Sequence, residues 1–145
     1  MKYNEIQGDL FSTDDNLVHC VSQDLKMGKG IATQFKKRFG KLAELKAQNR
    51  KPGEVAVIET DPDTDGNTRH IFYMITKERY FQKPEYVTFY LSLVHLRNLC
   101  LSNGLTSVSM PKIGCGLDRL EWDIVKTYIH KIFNDTDITI NVYFL

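Results

Sequence analysis

The chain has few of the residues that would cross-link it or hold a structural metal. Its 145 residues include only three cysteines, Cys20, Cys100 and Cys115, which are odd in number and lack Cys-x-x-Cys spacing. The four histidines show no metal-ligand spacing either. Disulfide frameworks and structural zinc sites need such patterns, so both are excluded as the basis of the fold, and no metal or cofactor is expected.

Long apolar runs are also missing. No stretch approaches the roughly 18 residues that a membrane span needs, and the amino-terminal MKYNEIQGDLF lacks the apolar core of a signal peptide. We therefore expect an intracellular protein, cytoplasmic or nuclear, without a membrane partner. The net charge is only +1, so no global basic field drives indiscriminate nucleic-acid binding. The basic stretch FKKRFGK, residues 35–41, is either a solvated helix face or a patch that steers an anionic ligand.

The chain has the length of a single domain, and its predicted strands alternate with predicted helices, which indicates one α/β domain over residues 1–145. The predicted strands are YNEIQG, LVHCVS, EVAVIET, RHIFYMIT, LTSVSM and ITINVYFL. The predicted helices are GIATQFKKRFG, KLAELKAQNR, YVTFYLSLVHLRNLCLSNG and EWDIVKTYIHKIF. The turn-rich DPDTDGN joins two of the strands as a hairpin. This order predicts a three-layer α/β/α domain with a central mixed sheet of about six strands.

Two glycine loops lie where predicted strands lead into helices, the place where such sheets bind ligands. One is MGKGIA, residues 27–32, and the other lies within MPKIGCGLDRLEW, residues 110–122. Each alone is compatible with a simple turn. Together they predict adjacent backbone amides that could hold the two phosphates of a diphosphate. Thr33 breaks the dinucleotide fingerprint GxGxxG, and the Gly-Lys-Ser/Thr of a Walker A motif is absent.

Three side chains near the same sheet edge are candidate catalytic or ligand-binding residues. Lys77, just past an apolar strand, is either a solvated lysine or a nucleophile or phosphate partner, and a nucleophilic lysine must be neutral when it attacks. Asp118 either caps the following helix or acts as a general base. Asp9, in GDLF, either caps a short turn or accepts a hydrogen bond from an exocyclic amine such as that of adenine.

These residues carry a resemblance to a known family. The segments QGDLF, HCVSQDLKMGKGIATQFKKRFG, GEVAVI, FYMITK, SMPKIGCGLDRLEW and ITINVYFL resemble macrodomains of the terminal ADP-ribose protein glycohydrolase type. The similarity runs from Asp9 to Leu145, and HCVSQD stands where many other macrodomains have an asparagine-rich motif. The resemblance implies an α/β/α macrodomain sandwich that binds ADP-ribose across the carboxyl edge of its sheet.

The resemblance also implies roles for single residues. Lys77 would attack the anomeric carbon of the distal ribose, and Asp118 would transfer protons, without a metal or cofactor. Asp9 would meet the adenine amine, Ser22 the distal ribose, and Tyr143 the adenine, although Tyr143 is equally typical of a core aromatic. Cys115 is expected to serve packing. The implied substrate-binding set is completed by Leu10, Gly28, Gly30, Ile31, Ala32, Ile113, Gly114, Cys115, Gly116 and Leu117.

The implied function is removal of mono-ADP-ribose from a macromolecular acceptor through a lysyl–ADP-ribose intermediate. The acceptor is an acidic protein side chain or a DNA base, and O-acetyl-ADP-ribose is a further small substrate. The expected partners are therefore ADP-ribose and ADP-ribosylated protein or DNA, and we expect a monomer. The alternative is a non-catalytic ADP-ribose reader, which needs the glycine loops but not Lys77 and Asp118.

Overall fold

The computed structural model describes all 145 residues, Met1–Leu145. Its six strands are β1 (Lys2–Gln7), β2 (Asn16–Ser22), β3 (Glu54–Glu59), β4 (His70–Lys77), β5 (Ser107–Met110) and β6 (Thr139–Phe144). Its four α-helices are α1 (Ile31–Phe39), α2 (Leu42–Ala47), α3 (Tyr86–Ser102) and α4 (Trp122–Phe133), and a short 3-10 helix spans Leu10–Ser12. None of the helices combines the length and apolar character needed to cross a membrane.

The strands form one mixed sheet in the order β1-β6-β5-β2-β4-β3. All neighbours are parallel except β3 and β4, which pair antiparallel as the predicted hairpin. Strand β4 lies inside the sheet, and its residues 71–76 are all buried. This burial on both faces explains why the strand reads as a nearly continuous apolar run.

Helices cover both faces of the sheet, which confirms the predicted three layers. Successive residues of a strand point to opposite faces. Thus Val18 of β2 packs in a cluster with Phe89 of α3 and with α4, whereas its neighbour Leu17 packs in a second cluster with Phe35 of α1 and Leu45 of α2. Each face therefore has its own apolar core.

Helix α2 is shorter than the predicted segment KLAELKAQNR, because the residues on either side of it make other contacts or leave the helical conformation. Asn49 has a φ of 51°, which a helix cannot continue. The Gln48 amide turns to the outer edge of β3, where it donates to Val57 O (2.8 Å) and accepts from Val57 N (3.0 Å). On the same edge Val55 N donates to His95 Nδ1 (2.8 Å), and Lys41 Nζ donates to Glu59 O (2.8 Å).

Candidate active site

The carboxyl ends of the parallel strands meet at one edge of the sheet, and the residues singled out in the sequence gather there. Strand β2 lies between β5 and β4, so the loops that follow β2 and β5 are neighbours and the end of β4 lies beside them. The loops and strand ends at this edge carry Asp9, Leu10, Ser22, Gly28, Gly30, Ile31, Ala32, Lys77, Ile113, Gly114, Cys115, Gly116, Leu117, Asp118 and Tyr143.

Lys77 and Asp118 form a direct ion pair at this edge. The Lys77 Nζ lies 2.5 Å from Asp118 Oδ1, and the two side chains are 13% and 17% exposed. Lys77 is the last residue of β4, and its carbonyl accepts a hydrogen bond from Gln23 N at 2.8 Å. At hydrogen-bond distance a proton can pass from the amine to the carboxylate, as general base catalysis requires. The pair thus joins a potential nucleophile to a proton acceptor.

The helix-cap interpretation of Asp118 is wrong. Glu121, not Asp118, occupies the position that precedes α4. Asp118 lies in a turn in which Arg119 N donates to Gly116 O (3.2 Å) and Leu120 N donates to Gly114 O (2.8 Å). Arg119 has a φ of 58°, which redirects the chain before the helix begins. The turn leaves the Asp118 carboxylate facing Lys77.

Two thiols near the pair are held in the protonated form. Burial raises the pKa of Cys20 well above its ordinary value, and the negative charge of Asp118 adds to this. Burial also raises the pKa of Cys115 to about 11, although Lys112 acts in the opposite direction. A thiol must ionise to attack, so neither cysteine is a nucleophile at neutral pH. Cys115 packs against the core, as predicted.

The first glycine loop is anchored by buried side chains and leaves its glycines exposed. Leu25 and Met27 are each 5% exposed, whereas Gly28 and Gly30 face solvent. Gly30 precedes α1 with a φ of 61° and a ψ of −150°, a conformation that is essentially restricted to glycine. No side chain caps the nine-residue α1, and Thr33 N donates to Gly30 O at 3.2 Å, so the backbone amides of Ile31 and Ala32 are available to a ligand.

The second glycine loop contains two glycines with different roles. Gly114 is buried with a φ of +74°, and an added Cβ would lie 2.8 Å from Leu120 Cδ1 and 2.9 Å from Phe89 Cε2. Gly116 is exposed, and an added Cβ would meet nothing within 4 Å. The packing of the protein therefore requires a glycine at position 114. The packing does not require a glycine at position 116, where the space beside the backbone is open to a ligand.

The two glycine loops lie against each other. A Cβ added to Gly30 would be 3.3 Å from Leu117 Cδ1, although Leu117 itself is 67% exposed. Two sets of exposed backbone amides are therefore side by side, next to Lys77 and Asp118. This is the arrangement that a backbone cradle for a diphosphate requires.

The remaining predicted residues surround these loops. The Asp9 Oδ1 accepts from Phe11 N at 3.0 Å and caps the 3-10 helix, while the side chain stays exposed and its Oδ2 remains open to a ligand. Leu10 is only 4% exposed and belongs to the core below the site. Tyr143 is half-buried against the same cluster. Asp9 and Tyr143 thus present surface to a ligand, whereas Leu10 presents little.

Asp24 organises the site, a role that the sequence-based predictions do not assign to it although it ends the HCVSQD segment. Its Oδ1 accepts from Ser22 Oγ (2.5 Å) and Lys26 N (3.2 Å), and its Oδ2 accepts from Tyr80 N (3.0 Å). Burial raises the pKa of Asp24, but the hydrogen bonds from Ser22, Tyr80 and Lys26 outweigh it and hold the pKa below its ordinary value. Asp24 therefore joins the loop after β2 to the loop after Lys77.

A polar cleft of about 490 Å³ opens beside Lys77. It lies on the β3 side of β4, whereas the glycine loops follow β2 and β5 on the opposite side. The cleft is lined by Pro52, Thr76, Lys77, Glu78, Gln82, Lys83, Glu85 and Thr88. Lys77 thus lies between the glycine loops and this cleft. The cleft could not be predicted from the sequence, because its lining residues come from segments that are far apart in the chain.

Comparison with known proteins identifies relatives of this chain and solved structures with the same fold. The Macro domain family model matches residues 18–129. ADP-ribose glycohydrolase OARD1 from Homo sapiens is 49% identical over 142 residues, covering 97% of this chain and 90% of that protein. The DNA ADP-ribosyl glycohydrolase of Mycobacterium tuberculosis is 29% identical over 133 residues, covering 87% of this chain but 37% of that protein. Among solved structures, the macrodomain of Mycobacterium tuberculosis DarG has a TM-score of 0.86 at 27% identity, covering 97% and 96% of the two chains. The chain described here therefore belongs to the Macro domain family.

Proposed function

We propose that this protein is an ADP-ribose glycohydrolase that removes mono-ADP-ribose from a macromolecular acceptor. The observation that carries the proposal is the Lys77–Asp118 pair, in which Nζ and Oδ1 are 2.5 Å apart beside two open glycine loops. A reader of ADP-ribose needs the loops but has no use for a largely buried amine and carboxylate. The names of the human and mycobacterial relatives, both glycohydrolases, support the same conclusion.

In the proposed complex, ADP-ribose lies across the carboxyl edge of the sheet. The exposed amides around Gly28–Ala32 and Gly116–Leu117 hold the diphosphate, assisted by the positive end of the α1 dipole. Asp9 accepts a hydrogen bond from the adenine amine, and Tyr143 borders the adenine. The distal ribose then reaches the ends of β2 and β4. In this proposal the Nζ of Lys77, the last residue of β4, lies next to the anomeric carbon.

The proposed reaction consists of two displacements at that carbon. Asp118 takes a proton from the Lys77 ammonium, and the freed Nζ electron pair attacks the carbon. The bond to the acceptor breaks, and the acceptor leaves with the bonding electrons and the proton held by Asp118. Water then loses a proton to Asp118 and attacks the same carbon. The C–N bond breaks, ADP-ribose is released, and the proton returns from Asp118 to Lys77.

The direct test is to measure ADP-ribose release from three substrates by chromatography. These are a protein ADP-ribosylated on acidic side chains, an oligonucleotide ADP-ribosylated on a base, and O-acetyl-ADP-ribose as the small substrate. We expect release from at least one of the two macromolecules. Binding of ADP-ribose without release from either macromolecule would identify the protein as a reader and overturn the proposal.

Asp118→Ala is expected to slow turnover by roughly 10²- to 10⁴-fold, because the base for both displacements is lost. The lysyl adduct should still accumulate, since solvent can take the proton of the Lys77 ammonium whereas the attacking water depends on Asp118. Intact-mass spectrometry should then show an ADP-ribosyl increment, and peptide mapping should place it on Lys77. Asp118→Asn is the matched variant, since it preserves the shape of the side chain but cannot take a proton. If neither variant ever shows the increment, direct attack by water becomes the better mechanism.

Gly116→Val is expected to weaken ADP-ribose binding by about tenfold or more, because the new side chain would fill the space in which the loop amides meet phosphate. Its stability should change little, since an added Cβ meets no atom within 4 Å. Gly114→Ala is the contrasting variant and should lower the free energy of unfolding by roughly 2 kcal/mol through overpacking. Calorimetric titration and chemical unfolding measure the two effects. Unchanged affinity in Gly116→Val would show that this loop does not hold the phosphates.

A further inference from the structure

Two exposed aromatic rings lie in the loop that leaves Lys77. Tyr80 and Phe81 are 50% and 73% exposed, and their ring centroids are 5.5 Å apart with an interplanar angle of 88°. They are the only aromatic side chains among the large exposed hydrophobic residues of the chain. Neither ring contributes to the buried core, so the packing of the protein gives no reason for two aromatics at this place.

The backbone of this loop is fixed by hydrogen bonds, which holds the rings near Lys77. Tyr80 N donates to Asp24 Oδ2 at 3.0 Å. Arg79 N donates to Gln82 Oε1 at 2.8 Å, and Gln82 N donates to Arg79 O at 3.1 Å. The rings therefore stand on a short closed turn that is attached to the loop after β2.

Cationic side chains continue outward from the rings. Lys26 Nζ lies 4.9 Å from the centroid of the Tyr80 ring. Lys36 Nζ, from α1, donates to Lys26 O at 3.2 Å. Lys37 and Arg38 follow on α1 and are exposed. Of the basic stretch seen in the sequence, Lys36 therefore adjoins the aromatic pair through Lys26, whereas the Arg38 guanidinium lies 4.4 Å from the centroid of the Phe11 ring.

We propose that Phe81, the more exposed of the two rings, stacks on a base of a single-stranded nucleic acid that carries the ADP-ribose, with Tyr80 edge-on beside it, while Lys26 and Lys36 contact its phosphates. Aromatic side chains beside a cationic track are the combination that holds single strands. The inference rests on the proposed function and names its acceptor. The turn that carries the rings adjoins both parts of the site. Lys26, directly before the first glycine loop, meets the Tyr80 ring, and Gln82, next to Phe81, lines the cleft that opens at Lys77.

The test compares two substrates in a variant that carries both Tyr80→Ala and Phe81→Ala. We expect kcat/KM on an ADP-ribosylated single-stranded oligonucleotide to fall by about 10- to 100-fold. The value for a peptide ADP-ribosylated on an acidic side chain, and the Kd of ADP-ribose, should stay unchanged. Leu101→Ala, which removes a 46% exposed side chain at the far end of α3, is the matched control and should alter none of these values. A variant with Lys26→Gln and Lys36→Gln should show a weaker salt dependence on the oligonucleotide.

The other outcomes contradict the proposal. An equal loss of kcat/KM on both substrates would mean that the rings have a general role in the site. An unchanged kcat/KM on the oligonucleotide would mean that the rings do not contact the nucleic acid. A loss on the peptide alone would mean that they form a protein-docking surface. If the wild-type protein releases ADP-ribose from no substrate, the proposed function fails separately. Fluorescence anisotropy with an unmodified single-stranded oligonucleotide then decides the inference, and the variant without the two rings should bind about tenfold more weakly. Equal binding would overturn it.

Discussion

Lys77→Ala is expected to lower the rate of ADP-ribose release by at least about 10³-fold, because it removes the proposed nucleophile. ADP-ribose itself should still bind, since the amides of the two glycine loops belong to the backbone and are untouched. The substitution also leaves the Asp118 carboxylate, which is 17% exposed, without its cation. Lys77→Gln separates these effects, because its amide can donate to Asp118 but cannot attack the ribose. Chromatographic turnover assays and calorimetric titration provide the two readouts.

The matched control for this prediction is Lys131→Ala. Lys131 is an exposed lysine of α4 whose Nζ lies 5.9 Å from the Tyr90 ring, outside the carboxyl edge of the sheet. Its removal should leave turnover at the wild-type level. Full activity in Lys77→Gln would contradict the covalent mechanism, whereas a loss of ADP-ribose binding in that variant would give Lys77 a binding role.

The second large effect is expected from His19, in the core beneath the site. Its ring is fully buried, stacks on Phe35 at 3.7 Å between centroids, and meets Tyr73 edge-on at 4.8 Å. Neither ring nitrogen has a hydrogen-bond partner. Burial lowers the pKa of His19 from its ordinary value of 6.5 to about 3. The folded protein therefore keeps this imidazole neutral under mildly acidic conditions in which the unfolded chain protonates it.

We expect the free energy of unfolding to fall with pH below 6.5, by about 1.4 kcal/mol per pH unit from this histidine alone. In that range the unfolded chain binds a proton that the native chain does not, so acid favours unfolding. The contribution is complete above pH 6.5 and is lost as the pH falls towards about 3. His19→Phe keeps an aromatic ring but cannot titrate, so the difference in the free energy of unfolding between pH 6.5 and 4.5 should shrink by about 2 kcal/mol.

Urea unfolding at several pH values measures this effect. Phe35→Leu is the control, because it removes the stacked ring but leaves the buried imidazole in place. It should lower the free energy of unfolding at every pH without changing the slope. Identical slopes in the wild type and in His19→Phe would mean that the histidine is not the titrating group.

The strands and helices could be predicted from the sequence because their signals are local. The run Ile71–Thr76 is buried throughout, as its composition indicates, and Gly40 and Gly104 take φ values of +57° and +66° at the ends of α1 and α3. Helix α2 was predicted too long because residues 48–50 have acceptable helix propensity. Tertiary hydrogen bonds from Gln48 to β3 override that propensity.

The site was only partly predictable because its geometry depends on the order of the strands. Lys77 and Asp118 are 41 residues apart and meet because β4 and β5 flank β2. Periodicity does not reveal that order. The need for a glycine at position 114 comes from Phe89 and Leu120, which reach it only in the folded chain. Asp24 lies in the HCVSQD segment, but its link to the loop after Lys77 is a hydrogen bond from Tyr80, 56 residues further on, which the segment alone does not reveal.

The side chains along β3 determine how a protein partner can approach. His95, Gln48 and Lys41 occupy the outward-facing backbone groups of Val55, Val57 and Glu59, which an added strand would need. Burial, aided by the charge of Arg50, lowers the pKa of His95, which keeps its ring neutral and its Nδ1 an acceptor. β-augmentation at this border would have to displace all three side chains. A partner that approaches this border therefore meets side chains instead of the open backbone groups that an added strand needs.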